Sequence, residues 1–579
     1  MRTVLTWTTK IRNEILIILG LILLVNVFFG KIDITIKSDG AGYYDYLPSL
    51  FIHHDLIRYN SPYTKDSSKY HRIIAAGNYS DYNNSYKVNK YPVGVAIFEL
   101  PFFIGAMVYA YLNGDPVDGF SMPFQKSIYY CALFYLFWII YFLKKFLKLY
   151  QIDDSVILLC QALIVFATPL MHYTYFDMAF SHLYSLLSLL LFLYCLKIYF
   201  DRNESRYLFF ASGILGLVFL CRPPNLIIFF FIPFLLSSFS DFANKMLSLI
   251  KNWKLSLSSS FIFLSMASIL PLVWFLQTKS VAVDSYPEEH FNLLSPHFYS
   301  ILFSYRKGLF VYTPLLLVSM LCVLWLLVKV SFYSFITWTL FFSLLTYVLS
   351  SWWSWYYGAS FGLRAYVDYL IIFMIPLGLF VNSLKGKLRS FIMICCIPFV
   401  VLNVIQTYQY KQYILHWGEM DKKKYWSVFC ETSREFIGLV WKSKKDTNQF
   451  KMLYEKNIMD DIFPKKSTTL LFEHTFNDSL SIDQVKFVQL QLENDFYRRS
   501  KSRILLTVVN AATGENYIYS EHSLIQFYEE KLNLWHKGSF DFTIEGIPAN
   551  TVCSLKLHLI AGDFHEQLSN IRVKFYGDK

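Results

Sequence analysis

The sequence predicts a mainly α-helical protein that crosses a membrane many times and carries a β-sandwich domain at its carboxyl end. The 579 residues are 55% hydrophobic and 16% charged, which is more apolar than a soluble globular protein of this size. Long apolar runs fill roughly the first 410 residues. Residues 466–579 instead alternate apolar and polar side chains, as strands do. These observations define two regions of different structure.

Nine apolar runs approach the roughly 20 residues that a membrane-spanning helix needs. They are residues 14–30, 127–142, 156–170, 183–200, 261–276, 309–327, 332–349, 369–380 and 391–405. The first run follows Arg2, Lys10 and Arg12, as the apolar part of a signal peptide would. Because no small-residue cleavage site follows it, we expect an uncleaved anchor.

The positions of the basic residues predict the orientation of the spans. The net charge is +11, and the basic residues lie in short loops between the apolar runs. This distribution follows the positive-inside rule and does not indicate nucleic-acid binding. With the amino terminus in the cytoplasm, these loops are all inside only if residues 93–112 form an amphipathic or re-entrant helix on the outer side. The segment 207–237 then forms a broken hairpin with Arg222 near its tip. This gives eleven crossings, a long outer loop at residues 31–92 and an outer carboxyl terminus.

The carboxyl-terminal region has no catalytic signature. Residues 411–465 are a charged, aromatic connector, and six strand-like segments after residue 466 predict the β-sandwich. We interpret this sandwich as an accessory domain. Seven of the nine cysteines lie in apolar runs, which leaves Cys430 and Cys553 as the candidates for a disulfide outside the membrane.

Five outer segments concentrate the unusual polar and aromatic residues. They are residues 39–47, 89–94, 177–182, 304–314 and 351–364. By the orientation above, all five open onto one side of the membrane, together with Arg222. This shared side is where we expect chemistry.

An acid just after the first helix, KYPVG at 90–94, a broken RPxN segment at 222–225 and WWSWYYGASFGLR at 352–364 form an ordered set. Over residues 1–410 the chain resembles the GT-C glycosyltransferases, and it is most similar to the protein O-mannosyltransferase and aminoarabinose-transferase branch. The resemblance implies an enzyme of the bacterial inner membrane that uses a polyprenyl-phosphate sugar donor and a glycan, lipid or protein acceptor. It implies Asp39 as the catalytic acid, with Asp45 as the nearest second acid.

The chemistry of such a transfer explains these residue types. The acceptor hydroxyl needs a base, for which one carboxylate suffices, and the departing phosphate needs positive charge. Asp39 and Asp45 are the candidate bases, with Asp55 as a further fallback. The candidate phosphate ligands are Lys90, His182, Arg222, Arg306 and Arg364, and the candidate sugar or acceptor contacts are Tyr43, Tyr44, Trp352 and Trp355.

Each candidate also has a structural interpretation. Asp39 would cap a helix, Arg222 would form an ion pair in the hairpin, and His182 would be packed and hydrogen-bonded. Trp352 and Trp355 would belong to an interfacial belt, while Arg306 and Arg364 would extend from helix ends toward water. No cluster has metal-ligand spacing, so we expect no obligatory protein-held metal and no other cofactor.

Three functions are consistent with the sequence. The first is an inverting glycosyltransferase that acts on the outer face of the membrane, with membrane lipids around it. The alternative is a polytopic transporter or flippase of lipid-linked sugars, which would place ionisable residues near the middle of the spans, often within repeated halves. The third is an anchor for an external binding module, for which eleven crossings are more than is needed.

Overall fold

The computed structural model describes residues 11–30, 34–54, 56, 78–83, 86–287, 289–418, 420–433, 436, 447–458, 468–476, 480–495, 503–523, 536–544, 547, 552–560 and 567–579. The chain divides into two compact units. One is helical and ends at Tyr408, and the other begins at Gln409 and also includes the short segment Pro287–His290. Each unit is treated by itself.

The helical unit begins with a helix and a small subdomain. These are α1 (Arg12–Phe28), α2 (Ser38–Tyr44), α3 (Tyr46–Phe51), the antiparallel hairpin of β1 (Tyr79–Tyr82) and β2 (Tyr86–Asn89), and α4 (Gly94–Asn113). The following helices are α5 (Met122–Lys148), α6 (Asp154–Phe166), α7 (Leu170–Tyr175), α8 (Ser181–Arg202), α9 (Ser205–Cys221), α10 (Phe239–Lys251), α11 (Trp253–Ala267), α12 (Ile269–Thr278), α13 (Phe298–Phe303), α14 (Leu309–Tyr312), α15 (Pro314–Lys329), α16 (Phe332–Ser350), α17 (Leu370–Ser383), α18 (Gly386–Cys395) and α19 (Ile397–Lys411). Two 3₁₀ segments, Pro223–Leu235 and Arg364–Tyr369, lie among them.

Seven helices of the described residues are long and apolar enough to cross a membrane, which indicates an integral membrane protein. They are Gly94–Asn113, Met122–Lys148, Ser181–Arg202, Trp253–Thr278, Phe332–Ser350, Arg364–Ser383 and Gly386–Lys411. Three shorter apolar helices are Asp154–Phe166, Ser205–Cys221 and Pro314–Leu326. Six of the seven coincide with predicted apolar runs. Gly94–Asn113 is the exception. The sequence predicted an outer helix for residues 93–112, whereas the length and apolarity of this helix would allow it to cross the membrane.

The chain breaks at Arg222, between α9 and the first 3₁₀ segment. Arg222 adopts an extended backbone (φ −156°, ψ 103°), because the residue before a proline is disfavoured in the helical region. Pro223 and Pro224 also lack the N–H groups that would continue the α-helix. The 3₁₀ segment Pro223–Leu235 then meets α10 at a bend of 117°. Arg222 is therefore held at a turning point, as the CRPPN sequence predicts.

The second unit contains two four-stranded antiparallel sheets among its described residues. Strands β3 (Phe450–Ile458), β10 (Gln567–Asp578), β5 (Phe487–Asp495) and β8 (His536–Thr543) form one sheet in that order. Strands β4 (Thr468–Thr475), β9 (Cys553–Ile560), β6 (Arg503–Asn510) and β7 (Asn516–Ser523) form the other. Leu490 and Phe575 from the first sheet and Leu506 and Leu557 from the second belong to one buried hydrophobic cluster. A short helix, α20 (Lys422–Ser427), precedes the strands.

Two details of this unit differ from expectation. All nine cysteines are free, so the expected pairing of Cys430 with Cys553 is wrong. Cys553 is buried in the hydrophobic cluster between the sheets, whereas Cys430 is exposed. Strands β3 and β7 were not predicted, because their sequences (FKMLYEKNI and NYIYSEHS) carry too few regularly alternating apolar residues.

Gly94→Ala is expected to destabilise the helical unit. A Cβ at Gly94 would lie less than 3.0 Å from backbone atoms of Leu220 and Cys221, so α4 would have to move away from the end of α9. Gly105 lies on the same helix and has nothing within 4 Å of its Cβ position, so Gly105→Ala should be neutral or stabilising. Thermal unfolding of the purified variants in detergent measures the difference. Equal midpoints for the two variants would contradict the close packing.

Candidate functional site

Asp39 lies in the first turn of α2, and a side chain from another segment bonds to the backbone next to it. Lys37 is the N-cap residue and no side chain caps the helix, so Asp39 is not the cap that one interpretation expected. Ser38, immediately before it, has a left-handed backbone (φ 51°), which is uncommon for a residue with a side chain. The Nδ2 of Asn78 donates a hydrogen bond of 3.0 Å to the Ser38 carbonyl. Such supported strain is typical of functional positions.

The glycines beside Asp39 permit close packing. Gly40 and Gly42 both lie within α2. A Cβ on Gly40 would lie 2.8 Å from the Cβ of Ala179, and a Cβ on Gly42 would overlap the Tyr91 ring. The absence of side chains thus brings two other outer segments, 177–182 and 89–94, against the helix that carries Asp39.

Asp39 forms an ion pair with Arg364, which lies 325 positions later in the chain. The Arg364 NH1 donates to the Asp39 Oδ2 at 2.6 Å, and the two side chains are 18% and 24% exposed. The Arg364 guanidinium also lies over the Phe180 ring, 5.7 Å from its centroid. Left-handed residues Gly358 (φ 61°) and Gly362 (φ 58°) shape the loop that delivers Arg364. Both side chains are therefore fixed but accessible.

A second network is centred on the buried Asp368 carboxylate. Its Oδ1 is 2.7 Å from the His182 Nδ1, and its Oδ2 accepts from the Arg222 NH1 at 3.3 Å and from the Asn225 Nδ2 at 2.7 Å. The Asn225 Oδ1 accepts in turn from the Tyr369 hydroxyl at 2.8 Å. Asp368 is 0% exposed, whereas Arg222 is 20% exposed. The buried Asp368 carboxylate binds one side of the Arg222 guanidinium, and the rest of the guanidinium remains accessible.

Asp177 contacts a lysine and a histidine near the start of α2. It contacts the Lys37 Nζ at 3.3 Å and the His172 Nε2 at 2.8 Å. Burial would raise the pKa of the Asp177 carboxyl, but Lys37 and His172 outweigh burial and lower it below its ordinary value. The pair therefore stabilises the fold above the ordinary aspartate pKa, and this contribution is lost as the pH falls through the lowered value.

Lys307 is a buried cation with a structural contact to the Arg364 loop. It is 1% exposed and donates to the Gly358 carbonyl and to the Ser360 Oγ, the latter at 2.5 Å. Burial lowers the pKa of Lys307 well below its ordinary value, and the charges of Arg364 and Arg306 add to the effect. The neighbouring Arg306 stacks on Tyr356, with its Cζ 3.6 Å from the ring centroid.

Aromatic rings extend from Tyr43 away from the ion pairs. Tyr43 packs on Tyr91 (centroids 4.6 Å apart), Tyr91 on Tyr286 (6.5 Å) and Tyr286 on Trp352 (6.3 Å). The ammonium of Lys90 lies 5.8 Å from the Tyr286 centroid. Burial raises the pKa of the Tyr43 phenol, although the charge of Arg222 opposes the shift. Lys90 and Trp352 thus border a continuous aromatic row that starts beside Asp39.

Other predicted residues lie elsewhere. Tyr44 donates to the Gly119 carbonyl at 2.5 Å and packs against Phe103, away from Arg364. Asp45 is 1% exposed and accepts from the hydroxyls of Tyr79 and Ser49. Trp355 contacts Tyr356 and His297. Asp55 lies outside the described residues.

The structure thus brings together Asp39, Tyr43, His182, Arg222 and Arg364 from the predicted set. Sequence reasoning missed Asp368, Asp177, Asn225 and Lys307 as members of the site. Three of them stand inside segments that were singled out, namely Asp177 in DMAFSH, Asn225 in CRPPN and Lys307 in SYRKG. Asp368 follows Arg364 by four residues, and that RAYVD spacing was the available signal.

Among the described residues, no group of three or more His, Cys, Asp or Glu side chains is arranged to hold a metal ion. No protein-family model matches the chain, and no curated protein matches its sequence. The chemistry of the candidate site is therefore inferred from its geometry. Its main groups are the partly exposed Asp39 carboxylate, the partly exposed Arg222 and Arg364 guanidiniums, and the row of aromatic rings that starts at Tyr43.

Asp368→Ala is expected to destabilise the protein by about 3–5 kcal/mol, because it leaves Arg222 and His182 in a buried position without their counter-charge. The matched control is Asp153→Ala. Asp153 pairs with Arg389 at 2.6 Å but is 55% exposed, so its loss should cost less than about 1 kcal/mol. Thermal denaturation of both purified variants gives the comparison. Similar small losses for the two would show that Asp368 does not hold the network.

Proposed function

We propose that this protein is an inverting glycosyltransferase that moves a sugar from a polyprenyl-phosphate donor to an acceptor hydroxyl on the outer face of the membrane. The observation that carries the proposal is the meeting of Asp39, Arg364 and Arg222 at one site, each partly exposed. The resemblance to the GT-C glycosyltransferases, which rests on short motifs, is consistent with the same chemistry.

The guanidiniums supply what a leaving phosphate needs. A guanidinium has five N–H donors and can bind two phosphate oxygens at once. Within the described part of the chain, Arg364 uses NH1 for Asp39, and Arg222 uses NH1 for Asp368. Their remaining donors can bind the donor phosphate. Because each arginine is anchored through one nitrogen, its charge is already positioned when the phosphate arrives.

Asp39 supplies the base. The acceptor hydroxyl gives its proton to the Asp39 carboxylate while its oxygen attacks the anomeric carbon. The bond from that carbon to the phosphate oxygen breaks, and the polyprenyl phosphate leaves with the electron pair. Attack opposite the leaving group inverts the anomeric centre. Arg364 touches Asp39 and can reach the phosphate, so it aligns base and leaving group on one side chain.

Hydrogen bonds support the orientation with α4 on the outer side. Thr35, just after α1, bonds to Gln125 near the start of α5 through both its backbone N–H (2.9 Å) and its hydroxyl (2.8 Å). The start of α4 packs on the end of α9, and His53 lies 3.2 Å from the Asp118 carbonyl, beyond the end of α4. Both ends of α4 therefore belong to the end of the unit that carries Asp39, although its length would allow a crossing.

With α4 outside, we propose that eleven helical segments cross the membrane. Six of the seven candidate spans contribute, together with Arg12–Phe28, Asp154–Phe166, Ser205–Cys221, Pro223–Leu235 and Pro314–Leu326. Ion pairs of Glu14 with Lys144 and of Asp153 with Arg389 mark the opposite, cytoplasmic end. The amino terminus is cytoplasmic, and the two carboxyl-terminal sheets form a β-sandwich outside. This orientation fits the inner membrane of a bacterium.

A transporter or flippase of lipid-linked sugars is the alternative. It would carry its ionisable groups along a path across the bilayer. The concentration of Asp39, Asp177, Asp368 and their cations at one end favours the transferase. Turnover distinguishes the two, because only an enzyme releases polyprenyl phosphate from the donor.

Asp39→Asn is expected to lower the rate of sugar transfer by about 10²–10⁴-fold, since the amide cannot accept the acceptor proton. Binding of a short-chain polyprenyl phosphate should remain within about twofold of the wild type. The rate is measured as release of polyprenyl phosphate from a labelled lipid-linked sugar. Asp45→Asn is the control and should keep near-normal turnover. If Asp45→Asn is inactive and Asp39→Asn active, Asp45 is the base.

Arg222→Ala is expected to weaken binding of the same polyprenyl phosphate at least about tenfold, because a charge-assisted hydrogen bond is lost. Arg206→Ala is the matched control, since Arg206 is 67% exposed and pairs with Glu204 at the cytoplasmic end. Equilibrium binding to the detergent-purified protein measures both. Unchanged affinity for Arg222→Ala would assign that arginine to the Asp368 network alone.

A further inference from the structure

Helix α10 (Phe239–Lys251) lies at the end of the helical unit that is opposite Asp39. The preceding 3₁₀ segment starts at Arg222 and runs away from the site. The carbonyl of Pro233, near its end, accepts a 2.9 Å hydrogen bond from Tyr333. Tyr333 begins α16, whose other end, Ser350, leads into the Trp352 loop. The 117° bend after Leu235 then turns α10 across the direction of the preceding segment.

The helix has an apolar and a basic face, and it contributes no buried residue. Phe239 is 72% exposed and Ile250 71% exposed, while Lys245 and Lys251 lie among the polar positions. An amphipathic helix of this kind lies in the membrane interface, with its apolar side toward the acyl chains. In the proposed orientation, this end of the unit lies in the cytoplasmic leaflet, next to the basic loops.

An apolar groove runs between α10 and α11 (Trp253–Ala267). It is lined by Met246, Leu249, Ile250, Trp253, Ser256, Leu257 and Ser260. The Ser256 hydroxyl donates to the Leu249 carbonyl at 2.6 Å, so the groove wall is effectively apolar there. The groove has a volume of about 520 Å³ and is shallow rather than enclosed.

Positive charge borders the groove. Lys254 follows the lining residue Trp253, and its Nζ lies 5.8 Å from the centroid of that ring. Lys245 precedes the lining residue Met246, and Lys251 follows Ile250. Asp241 is the one carboxylate of α10, and it lies in the first turn, where its Oδ2 accepts from the Ser237 backbone N–H. The groove therefore combines an apolar wall with lysines at its edge, for which the described residues show no ion pair.

We propose that this groove binds one anionic phospholipid of the cytoplasmic leaflet. An acyl chain lies along Met246, Leu249 and Leu257, and the head-group phosphate meets Lys245 and Lys254. Lysines near a membrane surface attract anionic lipids, and an apolar groove adds the contact that bulk lipid lacks. A zwitterionic lipid has the same chains but lacks the net charge. This site is independent of the proposed sugar transfer.

Native mass spectrometry of the purified full-length protein tests the site. The probes are dioleoyl phosphatidylglycerol and, with the same chains, dioleoyl phosphatidylcholine. The wild type should retain one phosphatidylglycerol in preference to phosphatidylcholine. Lys245→Gln with Lys254→Gln should weaken that binding about fivefold or more. Ser260→Trp, which fills the groove without changing charge, should abolish it.

Lys385→Gln with Lys387→Gln is the matched control. Both lysines lie at the cytoplasmic end, where Arg389 of the same helix pairs with Asp153, but neither borders the groove. This control should bind phosphatidylglycerol as the wild type does. Equal retention of the two lipids, equal binding by the Ser260→Trp variant, or an equal loss in the control would each overturn the proposal. Thermal midpoints of all variants show that they are folded.

Discussion

The buried Asp368 carboxylate is the interaction on which the centre of the helical unit depends. A charge at 0% exposure is tolerated only when it is paired and hydrogen-bonded. Here the partners come from three other places: His182 at the start of α8, Arg222 after α9, and Asn225 in the first 3₁₀ segment. Satisfying one carboxylate therefore fixes the relative positions of elements that are distant in the sequence. Arg222 is placed as a consequence, with part of its guanidinium open.

Close backbone packing then gathers the remaining groups around this centre. Gly40 admits Ala179 against α2, and Gly94 admits the end of α9 against α4. These contacts bring Asp39 and Asp177 to the same end of the unit as Arg222. The ion pair of Asp39 with Arg364 completes the arrangement, since Arg364 lies four residues before Asp368 on the same 3₁₀ helix. Packing and electrostatics thus produce one site from five outer segments.

The sequence predicted the elements better than it predicted their partners. Apolar runs, the break at CRPPN and the placement of five polar segments at one end follow from local patterns, and they agree with the helices described. The sequence alone did not show that Asp39 and Asp45 have different surroundings. At about 100° per residue, six residues rotate a helical position to another side, and Asp45 accordingly faces Tyr79 and Ser49. Asp368 was missed because it stands just before the apolar run 369–380, and its spacing from Arg364 carries no signal of its three partners. Tyr44 was misplaced for the same reason as Asp45, since adjacent tyrosines on a helix face different neighbours.

The most direct test of this account is a structure of the protein with a short-chain polyprenyl phosphate bound. The account predicts that the phosphate lies within hydrogen-bonding distance of both Arg222 and Arg364, with the Asp39 carboxylate beside it on the outer side of the membrane. A phosphate bound at another place, with Arg222 and Arg364 still paired only to Asp368 and Asp39, would contradict the account.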